Sequence, residues 1–200
     1  MNKDEVILVT GAAGMVGKNL CESLIDNGYK HVIGISRREA DLRDYSATAK
    51  VFSEIKPNYV FMVAAKVGGI PVTFQHPAEY LTDNLSIEFN LFELSRRYKV
   101  NKNLFIGSSS LYPLDGSNPK TEAMLLRGLL DDSIEGYVLA KIVGIKIADL
   151  YFRQYGMLTI CPMVANVFGS YASFNLKTAH VIPSLIKQLC DAHENDYRDI

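Results

Sequence analysis

The sequence is poor in the features that mark several large classes of protein. Cysteine is scarce: three in 200 residues, Cys21, Cys161 and Cys190, odd in number and far apart. They fit neither a disulfide framework nor a zinc-ligand pattern, so a reducing cytoplasm is the expected setting. An excess of one charge is also missing. The net charge is −1, and without a basic footprint nothing points to nucleic acid. No apolar run approaches the roughly 20 residues that span a bilayer, so no membrane partner is expected. The N-terminus, Met1 to Val6, is charged and passes directly into apolar residues, which is unlike a signal peptide. There is no internal repeat or low-complexity segment. No metal site is expected either, because the acids Glu39, Asp41 and Asp44 stand beside arginines that satisfy their charge.

What is present is apolar residue in quantity, 48% against 22% charged, enough for one domain with a substantial core. Short apolar runs alternate with helical periodicity. Strands are expected at Val6–Thr10, His31–Ile35, Tyr59–Val63, Asn103–Gly107 and Leu158–Cys161. Helices are expected after Gly17, over Tyr45–Ile55, from Pro77 to about Tyr98, from Tyr137 to about Tyr155, and from about Pro183 to His193. This alternation predicts an α/β fold, a doubly wound parallel sheet of the Rossmann type.

The first strand runs into Thr10-Gly11-Ala12-Ala13-Gly14-Met15-Val16-Gly17. A glycine turn between a strand and a helix lets backbone approach a pyrophosphate, which then rests on the helix N-terminus. Gly11, Gly14, Met15, Val16 and Gly17 are therefore candidate cofactor contacts; a glycine-rich helix entry without ligand is the alternative. NAD binders usually place an acid at the end of the second strand. Here it reads Ser36-Arg37-Arg38, and two guanidiniums suit a 2′-phosphate. NADPH/NADP+ is the expected cofactor, against the alternative of two solvated loop arginines. Asp41 and Leu42 are expected near the adenine. Ala64, Ala65 and Lys66 open a loop at the C-terminal end of the third strand, where α/β ligands bind.

Tyr137 and Lys141, four apart, lie on one face of a helix. An ammonium beside a phenol is expected to lower the phenol from its reference pKa of about 10, making Tyr137 a proton donor or acceptor. Alone, such a pair occurs by chance in many helices. Ser108, just after the fourth strand, supplies a partner.

With the glycine turn, these three residues resemble the short-chain dehydrogenase/reductase superfamily, extended branch. Longer motifs resemble the GDP-L-fucose synthase family within it. They are Ala64-Ala65-Lys66-Val67-Gly68-Gly69-Ile70, Gly107-Ser108-Ser109 with Leu111-Tyr112-Pro113, Ala140-Lys141-Ile142 with Gly144-Ile145-Lys146, Tyr155-Gly156, and His180-Val181-Ile182-Pro183. The resemblance covers essentially the whole sequence. It implies NADPH-dependent reduction of the C4 ketone of a GDP-4-keto-6-deoxy sugar. Tyr137 would be the acid/base, Lys141 would hold the nicotinamide ribose, and Ser108 would hydrogen-bond the substrate oxygen. Ser109, Asn166, His180 and Lys187 would meet the substrate. For Asn166 and Lys187 a loop-tying and a solvated role are the alternatives. The resemblance also implies a homodimer through the Pro77–Tyr98 and Tyr137–Tyr155 helices, whose apolar residues exceed what one core face needs.

Two departures qualify these implications. The family pairs a Cys with the His to shuttle protons at C3 and C5, and the Cys position holds Ser110 here. A serine hydroxyl is far less acidic than a thiol of pKa about 8.5, while His180 at about 6.5 suits the task. Reduction is expected intact, with 3,5-epimerisation reduced or absent. Family members also continue into a longer substrate lobe. Residues 1–170 are thus expected to form the NADP-binding domain, and 171–200 the start of an incomplete substrate-binding region. The competing readings are an NAD-dependent sugar-nucleotide 4-epimerase or dehydratase, and a non-catalytic NADP-binding module.

Overall fold

The computed structural model describes residues 1–115, 118–176, 179 and 181–194. Ile7, Leu8 and Val9 of β1 (Val6–Thr10) are fully buried, as required of a strand covered on both faces. Ile7 and Val9 turn to one side, where they meet Leu20 and Leu24 of α1 (Met15–Asp26). Leu8 turns to the other, into the larger core with Phe52, Leu91, Phe92 and Phe105.

β1 is joined in one five-stranded sheet by β2 (His31–Ile35), β3 (Tyr59–Met62), β4 (Lys102–Phe105) and β5 (Thr159–Ile160). The order is β2-β1-β3-β4-β5, and every pairing is parallel. Thr10 pairs with both Ile35 and Met62, and Met62 with Phe105. Four strand ends are therefore flush, and their loops open on one edge. Strand order reverses at β1, which sets the ligand crevice outside the ends of β1 and β3. The expected doubly wound parallel sheet is what forms.

The larger core lies under α2 (Tyr45–Ile55), α4 (Pro77–Arg97) and α5 (Glu135–Tyr155). α2 is capped by Asp44, whose carboxylate accepts the Ala47 N–H at 2.9 Å. α4 starts on Pro77, where a missing N–H costs nothing. α5 stops at Gly156, whose φ of +70° suits glycine. α4 and α5 pack side by side. A short helix, α3 (Ile70–Gln75), lies within what reads as loop in the sequence, and α6 (Val181–Glu194) starts two residues before the expected Pro183. Phe152, Val143 and Leu150 of α5 are exposed. Among the described residues no helix is long and apolar enough to cross a membrane.

Candidate active site

The turn after β1 is packed backbone against backbone. Gly11 has φ +71°, and a Cβ there would lie 2.9 Å from the Ala64 backbone. A Cβ on Gly17 would lie 2.3 Å from the Gly11 carbonyl oxygen. Gly14 N–H donates to the Gly11 carbonyl at 3.0 Å, and Ala12 N–H to Ile35 at 2.9 Å. α1 then begins at Met15 with no side chain capping it and no acid in its first turn. Its N–H groups and the positive end of its dipole stay open to an anion. Met15 and Val16 line a depression there with Asn19, Leu20 and the loop Val167-Phe168-Gly169.

At the end of β2, Ser36 turns the chain. Its N–H and hydroxyl both donate to Glu39 at 2.7 Å. Arg37 and Arg38 are left exposed at the same edge. Asp41 is bound by Arg43 at 2.6 Å, which holds its carboxyl down at about 2. Leu42 is buried in the core.

Ala64 and Ala65 follow β3, with the Ala64 N–H on the Thr10 hydroxyl at 3.1 Å. The Lys66 ammonium is engaged by Glu79 at 2.7 Å and Asp83 at 3.0 Å. Its backbone is clamped by Asn84, which accepts the Lys66 N–H at 2.7 Å and donates to the Lys66 carbonyl at 3.0 Å. Asn90, nearly two turns further along α4, donates to the carbonyls of Leu42 and Arg43 at 2.9 and 3.0 Å. Two buried amides of one helix thus fasten the loops beyond β2 and β3. The sequence marks both asparagines inside a helix; only the structure gives them this task.

Ser108, Tyr137 and Lys141 come together beyond β4. Ser108 caps a short turn, its hydroxyl oxygen accepting the Ser110 N–H at 3.2 Å, and its side chain lies near enough to Tyr137 to pull on the phenol's pKa. The expected lowering of the Tyr137 pKa is not met. Burial first, and then the negative charge of Glu88, push the phenol up to about 12, against a downward pull from Ser108. Lys141 is engaged elsewhere. It is 2% exposed and ion-paired to Glu88 of α4 at 3.2 Å, itself 2% exposed, and its Nζ lies 4.2 Å from the centre of the Phe105 ring. Burial lowers the Lys141 pKa, and Glu88 opposes that. Burial raises Glu88 to about 7. Glu88 is the buried charge of this site that the sequence did not single out. Its signal was spacing: it falls with Asn84, Leu91 and Ser95 on the buried stripe of α4.

Ser109 is exposed and Ser110 half-buried next to Ser108. Asn166 is exposed in the loop after β5, and Lys187 on α6 pairs with Asp191. His180 lies outside the described residues. Burial pushes the Cys161 thiol up to about 11 despite the pull of Lys141.

Residues 7–197 match the model of the NAD dependent epimerase/dehydratase family. Over 194 residues the chain is 40% identical to a GDP-L-fucose synthase of Sinorhizobium fredii, covering 97% of this chain and 60% of that protein. It is 33% identical to a GDP-L-colitose synthase of Yersinia pseudotuberculosis, covering 97% of this chain and 63% of that one. Among solved structures it resembles MlghC, a GDP-mannoheptose C4 reductase of Campylobacter jejuni with NADP bound. That TM-score is 0.89 at 32% identity, over 96% of this chain and 57% of the other. The chain therefore spans about three fifths of the length of these relatives. With a family match over nearly every residue and the glycine turn and Ser–Tyr–Lys set in place, the chain belongs to the NAD dependent epimerase/dehydratase family.

Proposed function

We propose that this chain is the cofactor-binding and proton-donating part of an NADPH-dependent reductase acting on the C4 ketone of a GDP-4-keto-6-deoxy sugar. The observation that carries the reading is the grouping of Ser108, Tyr137 and Lys141 at a sheet edge shared with a turn in which a Cβ on Gly11 or Gly17 would clash with backbone. The names of the relatives, GDP-L-fucose synthases and GDP-sugar C4 reductases, support the substrate class, and their NADP- and NADPH-bound structures support the cofactor.

The residues present fit such a cofactor. The open N-terminus of α1 suits the pyrophosphate, with Gly11, Gly14, Met15, Val16 and Gly17 beneath it. Exposed Arg37 and Arg38 suit a 2′-phosphate through charge-assisted hydrogen bonds, with Ser36 shaping their turn. Ala64, Ala65 and the Lys66 backbone form the opposite wall. Bound NADPH supplies a hydride, and negative charge then develops on the ketone oxygen. Tyr137 holds a phenolic proton for that oxygen, and Ser108 offers it a second hydrogen bond. Lys141 supplies positive charge one helical turn behind. Ser109, Asn166, His180 and Lys187 are the proposed substrate contacts. The 3,5-epimerase function is proposed to be weak because Ser110 is a poor proton shuttle. Residues 1–170 form the cofactor part in this reading, and two copies pair through α4 and α5 in a reducing cytoplasm.

Fluorescence titration with NADPH and NADH tests the cofactor. NADPH is expected to bind at least about tenfold more tightly, and replacing Arg37 and Arg38 by Ser to erase the difference, about 1.4 kcal/mol. Equal affinity for both nucleotides in the unaltered chain would refute it. Tyr137→Phe should keep NADPH binding and lose reduction of a GDP-4-keto-6-deoxy sugar.

A further inference from the structure

The loops beyond β2 and β3, two walls of the crevice, are joined by a row of charges laid along α4. Arg43 of the first loop is paired with Asp41 at 2.6 Å, and one of its nitrogens donates to both oxygens of Asp83 at 3.2 Å. Asp83 also accepts a hydrogen bond at 3.0 Å from the ammonium of Lys66, in the second loop. Glu79 accepts from the same ammonium at 2.7 Å. Positive and negative groups alternate along the row. Glu79, Asp83 and Asn90 lie on one face of α4, by the spacing of the helix. Asn84 and Asn90 each fasten one loop by its backbone. Asp83 alone of these holds a side chain from both loops.

Stability is a poor reason for such a row, because partly exposed ion pairs contribute little to it. The Asp83 and Lys66 side chains are 20% and 26% exposed. Attraction of the cofactor is a worse reason. The carboxylates Asp41, Asp83 and Glu79 outnumber the cations Arg43 and Lys66, so the row is negative in sum beside a site read as binding an anion. What it does supply is geometry. Arg43 anchors the loop that presents Arg37 and Arg38, and Lys66 anchors the loop that presents Ala64 and Ala65.

We propose that Asp83 is a positioning residue for the cofactor: by holding Arg43 and Lys66 together it fixes the separation of the two loops between which NADPH lies. The inference deepens the NADPH-dependent reading above and rests on it. It also places Arg43 in the frame of the site, leaving Arg37 and Arg38 as the guanidiniums offered to a 2′-phosphate.

The test uses Asp83→Asn and Asp83→Glu. Removing a carboxylate near an anionic nucleotide strengthens binding by Coulomb's law alone. Losing the tie between the loops does the reverse, so the sign of the effect decides. Asp83→Asn is expected to weaken NADPH binding about fivefold, the scale of one such ion pair. Asp83→Glu keeps the charge and should restore most of the affinity. NADPH binding that is unchanged or tighter in Asp83→Asn would overturn the proposal. An equal loss in Asp83→Glu would overturn it too, by marking a packing defect. A second readout needs no nucleotide. Hydrogen exchange of the free chain should quicken in Asp83→Asn at residues 41–44 and at residues 64–69 together, and exchange unmoved at either segment would overturn the proposal. If Asp83→Asn does not fold, Arg43→Met is read in the same way. It should quicken exchange around Lys66, to which Arg43 is tied through Asp83, and an unmoved Lys66 segment would overturn the proposal. Coupled exchange in a chain that binds neither NADPH nor NADH would count against the reductase reading. Uncoupled exchange in a chain that binds NADPH would count against Asp83.

Discussion

At the scale of single residues, the site is governed by which charges are buried together. Tyr137 sits one helical turn from a lysine whose charge is answered by Glu88, yet what holds the phenol high is first its own burial and then the Glu88 charge. Gly144 makes that answer geometrically possible. Gly144→Ala is expected to overpack the α4–α5 seam and cost about 1–3 kcal/mol, since its Cβ would press on Phe105 and Glu88. Chemical denaturation would measure this, and an unchanged midpoint would show that the seam has slack. Ser110 poses the complementary case, a residue whose chemistry is too weak for the task its position implies. Ser110→Cys should raise the incorporation of solvent deuterium at C3 and C5 of a GDP-4-keto-6-deoxy sugar by about tenfold or more. The gain follows from replacing a hydroxyl by a thiol of pKa about 8.5. If the unaltered chain already exchanges both positions as fast as the variant, Ser110 is no handicap.

At the scale of elements, α4 emerges as the organiser. It carries Asn84, Glu88 and Asn90, which bind respectively the loop after β3, Lys141, and the loop after β2. Asn90→Ala would strip the Leu42 and Arg43 carbonyls of their amide donor. A cost of about 1–3 kcal/mol is expected for groups left unsatisfied in the interior, read as a lower denaturation midpoint. Hydrogen exchange should rise at the segment around Leu42 and Arg43, while α5 stays protected. How much of this was legible in the sequence follows from the physics of each element. β1 to β4, α1, α2 and α4 were readable nearly to their ends, because apolar runs, caps and prolines act locally. The Ile70–Gln75 helix was not, since a six-residue helix with Pro71 carries little periodicity. The Ser108, Tyr137 and Lys141 convergence was readable through motif and strand order. The direction of the Tyr137 shift was not, because it is set first by burial and then by Glu88, 49 positions away in sequence, and both arise only from helix packing.

At the scale of the whole molecule, charge and apolar surface set the two behaviours a solution experiment sees first. Glu93 is gripped by Arg96 at 2.7 Å and Arg97 at 2.6 Å, and its carboxyl falls from 4.5 to about 2. A carboxylate depressed on folding contributes stability that is complete above its unfolded pKa and is lost as pH falls through the folded one. The melting temperature of the unaltered chain should therefore exceed that of Glu93→Gln at neutral pH, and the gap should close between about pH 4.5 and pH 2. A gap that persists at the acid end would assign the loss to packing. The second behaviour is association. Phe89 of α4 is 54% exposed, and Val143 and Leu150 of α5 are 40% and 50% exposed. Phe89 and Val143 border one depression with Leu85 and Ile147. Two adjacent long helices presenting large side chains to water form the kind of patch that marks an interaction site, and a two-fold pairing lets each copy cover the other's patch with its own. Sedimentation at micromolar concentration is expected to give a dimer. Val143→Glu combined with Phe89→Glu should give a monomer with the same helical content. A monomer in the unaltered chain would leave this face without its proposed occupant. A dimer that survives both substitutions would put the contact elsewhere, where α6 also exposes Val181, Leu185 and Leu189.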